Sequence, residues 1–182
     1  MPDLQPSPTL STPRLTLRAP ELGDAAVLAM LGDNYDVARM TTRMPHPYTL
    51  RDAEEFVGRL RARTSADQQT FLIDADGEGC AGVIGFFIDD GAVLPEIGYW
   101  LGRPFWGRGY ATEAAAAAVR HAFETLARPR VISLVAPENV ASAAVARRLG
   151  ARRTGEQLVR GRPVDVWAIE RDEWRAARAA PA

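Results

Sequence analysis

The chain has 182 residues, of which 47% are hydrophobic and 25% charged, and its formal net charge is −1 at neutral pH. This length suits one domain with a full hydrophobic core. The near-zero net charge argues against non-specific electrostatic binding to nucleic acid or to an anionic membrane. No apolar run is long enough to span a bilayer. We therefore expect neither nucleic acid nor membrane as a direct partner.

In chain order, the spacing of apolar residues predicts a strand at 14–18, helices at 21–31, 35–40 and 49–64, strands at 70–75, 80–88 and 93–101, a long helix at 111–126, a strand at 131–135, a short helix at 139–149, and strands at 157–159 and 164–169. Residues 1–12 are rich in proline and are expected to form a flexible tail. The domain is expected to cover 13–176, with a second tail at 177–182.

Turn and cap residues indicate how these elements are joined. Asp76-Gly77 and Asp90-Gly91 predict antiparallel hairpins between the three central strands, and Gly161 predicts a last hairpin. Thr49 with Asp52 resembles a weak capping box, and Asn139 can cap the short helix. The predicted fold is a single α/β domain with one mixed, mostly antiparallel sheet and flanking helices.

The types of basic and sulfur-containing residues exclude several chemistries. All 22 basic residues are arginine, so lysine Schiff bases and the lysine-containing phosphate loop of nucleotide hydrolases are excluded. Cys80 is the only cysteine, which excludes an internal disulfide and suits a reducing cytoplasm. Its apolar neighbours predict a packed strand residue rather than a nucleophile. His46 and His121 give little support for a metal site, and His121 is expected on a helix surface.

A glycine-bearing loop precedes the long helix and predicts an anion site. Gly107 and Gly109 let the backbone approach a ligand closely, and the first N–H groups of the helix have no intrahelical partners. These groups also lie at the positive end of the helix dipole, which favours a phosphate or pyrophosphate. A plain turn is the alternative explanation for the glycine pair.

Three motifs in order, Glu96-Ile-Gly-Tyr-Trp-Leu, Trp106-Gly-Arg-Gly-Tyr-Ala-Thr-Glu-Ala and Asn139-x-x-Ser142-x-x-Val-x-x-Arg-Leu-Gly-Ala, resemble the GCN5-related N-acetyltransferase (GNAT) family. Thr12-Pro-Arg-Leu-Thr-Leu-Arg and Tyr48-Thr-Leu-Arg-Asp-Ala-Glu are similar to its branch that acetylates ribosomal-protein N-termini, the RimJ/RimL type. The resemblance covers about residues 12–174. It implies acetyl-CoA as the acetyl donor and no metal.

The family loop is usually Gln/Arg-x-x-Gly-x-Gly/Ala, and this chain departs from it with tryptophan at the first position. The resemblance assigns the backbone amides of the loop to the coenzyme A pyrophosphate and the strand before it to the pantetheine arm. Asn139 would reach the pantetheine amides. The expected coenzyme-binding residues are Tyr99, Trp100, Leu101, Trp106, Gly107, Arg108, Gly109, Tyr110, Ala111, Thr112 and Asn139.

Two residues are candidates for the chemistry. Alternation places Glu96, Gly98 and Trp100 on one face of their strand, where Glu96 is the expected general base; an ion-paired strand glutamate is the alternative. Some family members place a tyrosine in the short helix to protonate the leaving thiolate, but that position is Ala146 here. Ser142 is the expected substitute, with simple helix capping as the alternative.

The acceptor is expected to be a primary amine. At pH 7 on the order of a tenth of α-amino groups are neutral, whereas removing the proton from a lysine amine costs roughly 3 kcal/mol more. This difference and the branch resemblance favour a protein N-terminus, and residues 39–48 are expected to shape its cleft. A small-molecule amine and a catalytically silent coenzyme A-binding domain are the alternatives. The sequence leaves the oligomeric state open, with a homodimer among the options.

Overall fold

The computed structural model describes residues 8–41, 43–62, 68–87 and 96–179. Its strands are β1 (Leu10–Ser11), β2 (Leu15–Arg18), β3 (Thr70–Ala75), β4 (Gly79–Phe87), β5 (Glu96–Leu101), β6 (Arg130–Val135), β7 (Arg152–Val159) and β8 (Arg162–Glu170). Its helices are α1 (Ala25–Gly32), α2 (Tyr35–Ala38), α3 (Leu50–Ala62), α4 (Tyr110–Glu124), α5 (Val140–Arg148) and α6 (Arg171–Ala179), with short 3-10 helices at Leu22–Asp24 and Arg103–Phe105.

The described strands form one sheet in the order β1-β2-β3-β4-β5-β6-β8-β7. Neighbouring strands are antiparallel, except that β5 and β6 run parallel. The parallel pair follows from the connection through α4, since parallel neighbours need a crossover rather than a hairpin. The prediction of a single mixed, mostly antiparallel sheet with flanking helices is confirmed.

Each face of the sheet carries its own apolar core. In β3, Phe71 and Ile73 belong to the cluster that includes α4, whereas Leu72 packs with Ala53 and Val57 of α3. This division follows from the alternation of side chains along a strand. Burial of each large apolar side chain contributes about 1.5–3 kcal/mol. Helices therefore cover the sheet on both faces.

The small side chains of α4 allow it to lie close to the sheet. Ala114 and Ala118 are completely buried, and Ala115 is almost so. Their small side chains let the helix backbone approach the strands closely. His121 on the same helix is a correction, because it is 5% exposed rather than on the surface. Its Nε2 lies 2.7 Å from the Gln69 side-chain oxygen, and burial lowers the pKa of the imidazole.

The turns and caps agree with their sequence signals wherever the structure describes them. Gly77 has a φ of 75° in the turn between β3 and β4, and Gly161 has a φ of 79° between β7 and β8. The Thr49 backbone N–H donates to Asp52 at 2.8 Å, and the Asp52 N–H donates to the Thr49 hydroxyl at 3.2 Å, which confirms the capping box. The predicted Asp90-Gly91 turn lies outside the described residues.

Both ends of the chain differ from the predicted tails. Leu10 and Ser11 pair with β2, so the sheet begins inside the stretch expected to be a tail. The helix α6 was missed and continues past residue 176, where the domain was expected to end. Most of α6 is charged or alanine, which leaves Trp174 as its large apolar anchor, with its ring 5.3 Å from that of Phe123. One anchor in nine residues gives little periodic signal.

Cys80 is half-buried and packs against both apolar clusters, as expected for a strand residue, and burial raises the pKa of its thiol to about 12. In the parts of the chain that the structure describes, no helix has the length and apolar content needed to cross a membrane.

A close approach between β4 and β5 generates a stability prediction. A Cβ atom at Gly82 would lie 2.1 Å from the Trp100 carbonyl oxygen, so Gly82→Ala must push the two strands apart. We expect it to lower the free energy of unfolding by about 1–3 kcal/mol. Gly58→Ala is the control, because a Cβ there meets open space on α3 and should gain about 0.5–1 kcal/mol. Urea unfolding that ranks the two variants equally would contradict this packing.

Candidate active site

The site is built where β5 and β6 separate. Within the described residues, these two strands share one register position, Glu96 opposite Ile132. Beyond it, their facing edges line a cleft of about 1400 Å³, with Gly98 to Leu101 on one wall and Ser133 to Ala136 on the other. Most small-molecule pockets measure roughly 300–1000 Å³. The cleft therefore has room for a long ligand together with a second, smaller one.

One end of the cleft has the features of an anion site. Gly107 and Gly109 have φ values of 74° and 81°, a conformation in which glycine avoids the usual Cβ clash. Gly109 is the N-cap of α4, and no side chain caps this 15-residue helix. The first N–H groups of α4 therefore lack an intrahelical partner and remain available to a ligand. Tyr110, Ala111 and Thr112 all line the cleft.

Trp106 holds this loop against the end of β5. Its indole N–H donates to the Leu101 carbonyl oxygen at 2.7 Å, and the Arg103 guanidinium stacks 4.7 Å from the indole ring centre. The tryptophan therefore has a defined role in the loop although it departs from the residues usual at this position. It also occupies the Leu101 carbonyl, so that oxygen already has a partner.

Arg108 lies off the cleft wall, unlike its neighbours in the loop. Its guanidinium makes a bidentate pair with Glu78, at 2.8 and 2.6 Å, and the Tyr110 hydroxyl donates to the same carboxylate at 3.0 Å. The hydrogen bond from Arg108 makes the largest contribution to lowering the pKa of Glu78, and the one from Tyr110 lowers it further. Sequence analysis missed Glu78 because the neighbouring Asp76-Gly77 signal indicates only a turn, and Arg108 lies 30 residues further along the chain.

A second ion pair ties the N-terminal strands to α4. Arg14 donates from Nε to Glu113 at 2.7 Å and from Nη1 to the Arg108 carbonyl oxygen at 3.1 Å. Its guanidinium also lies 4.9 Å from the centre of the Tyr110 ring. Arg14 and Arg108 are thus each matched by a carboxylate, while the start of α4 offers its backbone amides to an anion.

Glu96 lies on the opposite face of β5 from α4. Its Oε2 is 3.2 Å from Nη2 of Arg43, and its side chain is 13% exposed. Gly98, the next residue on that face, lies close to the Phe87 ring, since a Cβ there would be 3.2 Å from Phe87 Cε2 and in ordinary contact, at 3.8 Å, with Glu96 Oε1. Glu96 is therefore both ion-paired and on the cleft wall. Arg43 was not assigned from the sequence, although it falls within the segment expected to shape the acceptor cleft.

The cleft around Glu96 is mainly apolar, with charged residues near it. Met44, Phe56, Phe87 and Trp100 contribute apolar surface. His46 does not line the cleft and instead lies 3.5 Å from Asp33 through its Nδ1 atom. Besides Glu96 and Arg43, the charged residues of the lining are Asp52, Glu55, Arg59, Glu113, Glu138, Arg148 and Arg160.

The hairpin β7–β8 contacts residues 39–48, the segment expected to shape the acceptor cleft. Arg162 donates to the Arg39 and Thr41 carbonyl oxygens at 3.3 and 3.4 Å and forms an ion pair with Glu138 at 3.3 Å. Sequence analysis gave this hairpin no part in the site. The two contacts with carbonyl oxygens join residues more than a hundred positions apart, so no local pattern could reveal them.

Asn139 and Ser142 lie on the α5 side of the cleft. Asn139 caps α5 as predicted, since its side-chain oxygen accepts the Ser142 N–H at 3.0 Å. The Ser142 hydroxyl lies 3.0 Å from the Tyr99 hydroxyl. All the predicted site residues except Arg108 line the cleft. Within the described ranges, no group of three potential metal ligands comes together.

Sequence comparison gives matches over most of the chain. Residues 14–152 match the family described as Acetyltransferase (GNAT) domain. The chain is also 32% identical over 166 residues to the uncharacterized N-acetyltransferase p20 of Bacillus licheniformis, and the match covers 87% of this chain and 93% of that protein.

Solved structures share the fold. A GNAT-family acetyltransferase from Bacillus anthracis superimposes with a TM-score of 0.78 at 25% identity, covering 91% of this chain and 99% of that one. A putative ribosomal-protein-serine acetyltransferase from Vibrio cholerae gives 0.77 at 24% identity, with the same coverage. The Microcin C7 self-immunity acetyltransferase MccE, in complex with acetyl-CoA and AMP, gives 0.76 at 21% identity, covering 87% and 93%.

The loop geometry generates a prediction about acetyl-CoA. Gly109→Val places a branched side chain at a φ of 81°, next to the amides expected to bind the pyrophosphate. We expect acetyl-CoA affinity to fall at least tenfold, about 1.4 kcal/mol, as measured by calorimetry on the folded variant. Gly150→Val is the control, since Gly150 has a similar φ of 87° but does not line the cleft. Equal affinities in the two variants would place the phosphates elsewhere.

Proposed function

Because the chain belongs to the GNAT acetyltransferase family and is an acetyl-CoA-dependent N-acetyltransferase, we propose that its acceptor is the α-amine of a protein N-terminus. One observation supports acetyl transfer to an amine most directly. Glu96 and Ser142 approach the gap between β5 and β6 from opposite faces of the sheet. A carboxylate on one side and a hydroxyl on the other suit the transfer of an acetyl group from a thioester to an amine.

The residues that line the cleft are suited to bind the coenzyme A part of acetyl-CoA. The uncapped start of α4 offers backbone amides to the pyrophosphate, and the pantetheine arm would lie along β5, where strand edges are open. Asn139 and Ser142 then lie near the thioester end of the arm. Acetyl-CoA supplies the activated acetyl group, and the protein supplies position and charge.

The amine must be neutral before it can attack the thioester. Glu96 is the group we assign to accept its proton, directly or through water, because this carboxylate faces the acceptor half of the cleft. A backbone N–H of β5 would hold the negative charge that develops on the thioester oxygen. Ser142 would stabilise the departing thiolate through its hydroxyl.

An α-amine matches these modest catalytic means. Its pKa near 7.7–8.0 leaves on the order of a tenth neutral at pH 7, so positioning supplies much of the rate. An amine that approaches Glu96 as an ammonium must also compete with Arg43 for the carboxylate. The V. cholerae structure is named a putative ribosomal-protein-serine acetyltransferase, so a protein is the acceptor in its name, and at 24% identity the likeness supports the fold alone.

A small-molecule amine is the second candidate, and the apolar wall near Glu96 favours it. Met44, Phe56 and Trp100 would suit an acceptor with an apolar body. An apolar N-terminal side chain would satisfy the same surface. An acceptor screen that includes both classes therefore decides between them.

The base assignment can be tested with Glu96→Gln. This variant keeps the size of the side chain but cannot accept a proton, so kcat should fall on the order of 10²-fold while acetyl-CoA affinity hardly changes. The acidic limb of the pH–rate profile should disappear if it reports Glu96. The control is Glu170→Gln, which removes a carboxylate from its pair with Arg130 away from the cleft. Near-normal turnover by Glu96→Gln would assign the base role to water or another group.

The acceptor proposal predicts where the acetyl group appears. Short peptides with a free, small N-terminal residue should be acetylated at the α-amine, because that amine is the easiest to deprotonate near pH 7. Peptides with a blocked N-terminus and an internal lysine should not react. Mass spectrometry locates the added group. Modification confined to lysine, or to small non-peptide amines in a parallel screen, would overturn the N-terminal assignment.

A further inference from the structure

Two hydroxyl groups from different elements meet on the α5 side of the cleft. The Tyr99 Oη of β5 lies 3.0 Å from the Ser142 Oγ of α5. The position of Ser142 is fixed independently, because its backbone N–H donates to the Asn139 cap at 3.0 Å. This hydroxyl pair therefore joins the strand that lines the cleft to the helix that closes it.

The direction of the hydrogen bond decides what Ser142 can do. A hydroxyl has one proton to donate and two lone pairs. Among the described residues, Ser142 is the hydrogen-bond partner of the half-buried Tyr99 hydroxyl, and the 3.0 Å distance allows either group to be the donor. A phenol is a stronger acid than an aliphatic alcohol, so donation from Tyr99 to Ser142 Oγ is the favoured direction. The Ser142 proton is then left to point elsewhere.

Two further features support this arrangement. Burial raises the pKa of Tyr99, so the phenol keeps its proton at neutral pH and can act as a lasting donor. Tyr99, Ser142 and Ala146 border the same small void of about 20 Å³. Ala146 offers only a methyl group there. In this chain, the aromatic hydroxyl beside Ser142 comes from the strand and not from the helix.

We propose that Tyr99 is a positioning residue that orients the Ser142 hydroxyl toward the sulfur of the departing coenzyme A thiolate. The proposal rests on the role of Ser142 given above. When the C–S bond breaks, its electron pair passes to sulfur, and Ser142 donates a hydrogen bond to that sulfur without giving up its proton. Accepting a hydrogen bond from Tyr99 makes Ser142 a better donor, because hydrogen bonds in a chain polarise one another.

The first test measures the thiolate itself and needs no acceptor amine. Free coenzyme A is bound to the protein, and the ultraviolet absorbance of its thiolate is followed through a pH titration. The thiol pKa should be about 0.5–1 unit higher when coenzyme A is bound to Tyr99→Phe than when it is bound to the parent protein, since loss of one hydrogen bond weakens thiolate stabilisation. Identical pKa values in the two complexes would overturn the proposal. Because no acceptor is present, this result is separate from the fate of the α-amine assignment.

The second test is a double-mutant cycle on turnover with whichever amine the parent protein acetylates. Tyr99→Phe should lower kcat roughly fivefold with little change in KM for acetyl-CoA, because the ring is kept and one hydrogen bond is lost. In a Ser142→Ala background, the same change should have less than a twofold effect, since the hydroxyl it orients is gone. A full fivefold loss in that background would show that Tyr99 acts through packing and would overturn the proposal.

A matched control excludes a general effect of losing a phenol. Tyr35 is 65% exposed and does not line the cleft. Tyr35→Phe should therefore leave both the thiol pKa and kcat unchanged. Thermal unfolding of all the variants shows whether each is folded under the conditions of the two tests.

Discussion

The separation of β5 from β6 is the constraint on which the site depends. These strands share the Glu96–Ile132 register position and then line opposite walls of the cleft. A continuous sheet would keep the two faces apart, because side chains alternate between them. At the gap, Glu96 from one face and the Tyr99–Ser142 pair from the other can act on one ligand. The α4 crossover that makes the strands parallel also delivers the start of its helix to the same gap.

At the end of the cleft proposed to bind phosphate, beside the start of α4, the charged side chains and the free backbone N–H groups have different partners. Arg108 and Arg14 are each paired with a carboxylate, Glu78 and Glu113. Their charges are thus partly balanced, while the uncapped helix start keeps its free N–H groups. The anion binding proposed there would depend on the backbone conformation that the two glycines allow, and both ion pairs lie beside that loop. The indole N–H of Trp106 also connects this loop to β5, because it donates to the Leu101 carbonyl oxygen.

The acceptor end is organised differently, through contacts between distant segments. Arg43 holds Glu96, and Arg162 of the last hairpin holds the backbone of the segment that carries Arg43. The position of the expected base is therefore linked to the far end of the chain. Met44, Phe56, Phe87 and Trp100 place apolar surface beside it, and charges interact more strongly next to apolar surface than in bulk water.

The sequence by itself determined the features that depend on neighbouring residues. Alternation defined the central strands, Thr49 and Asn139 marked helix starts, and the glycines before α4 indicated a loop whose backbone can approach a ligand closely. The short motifs placed the chain in its family. These signals work because strand periodicity, capping and left-handed backbone conformations involve only residues a few positions apart.

Only the tertiary structure decided which side chains meet. The pairs Arg43–Glu96, Arg108–Glu78 and Tyr99–Ser142 each join two separate elements, and sheet register with helix placement sets their distances. The burial of His121 and the docking of α6 through Trp174 likewise follow from packing. The sequence could propose Glu96 and Ser142 separately. It could not show the partners that hold them, because contacts between distant segments leave no local pattern.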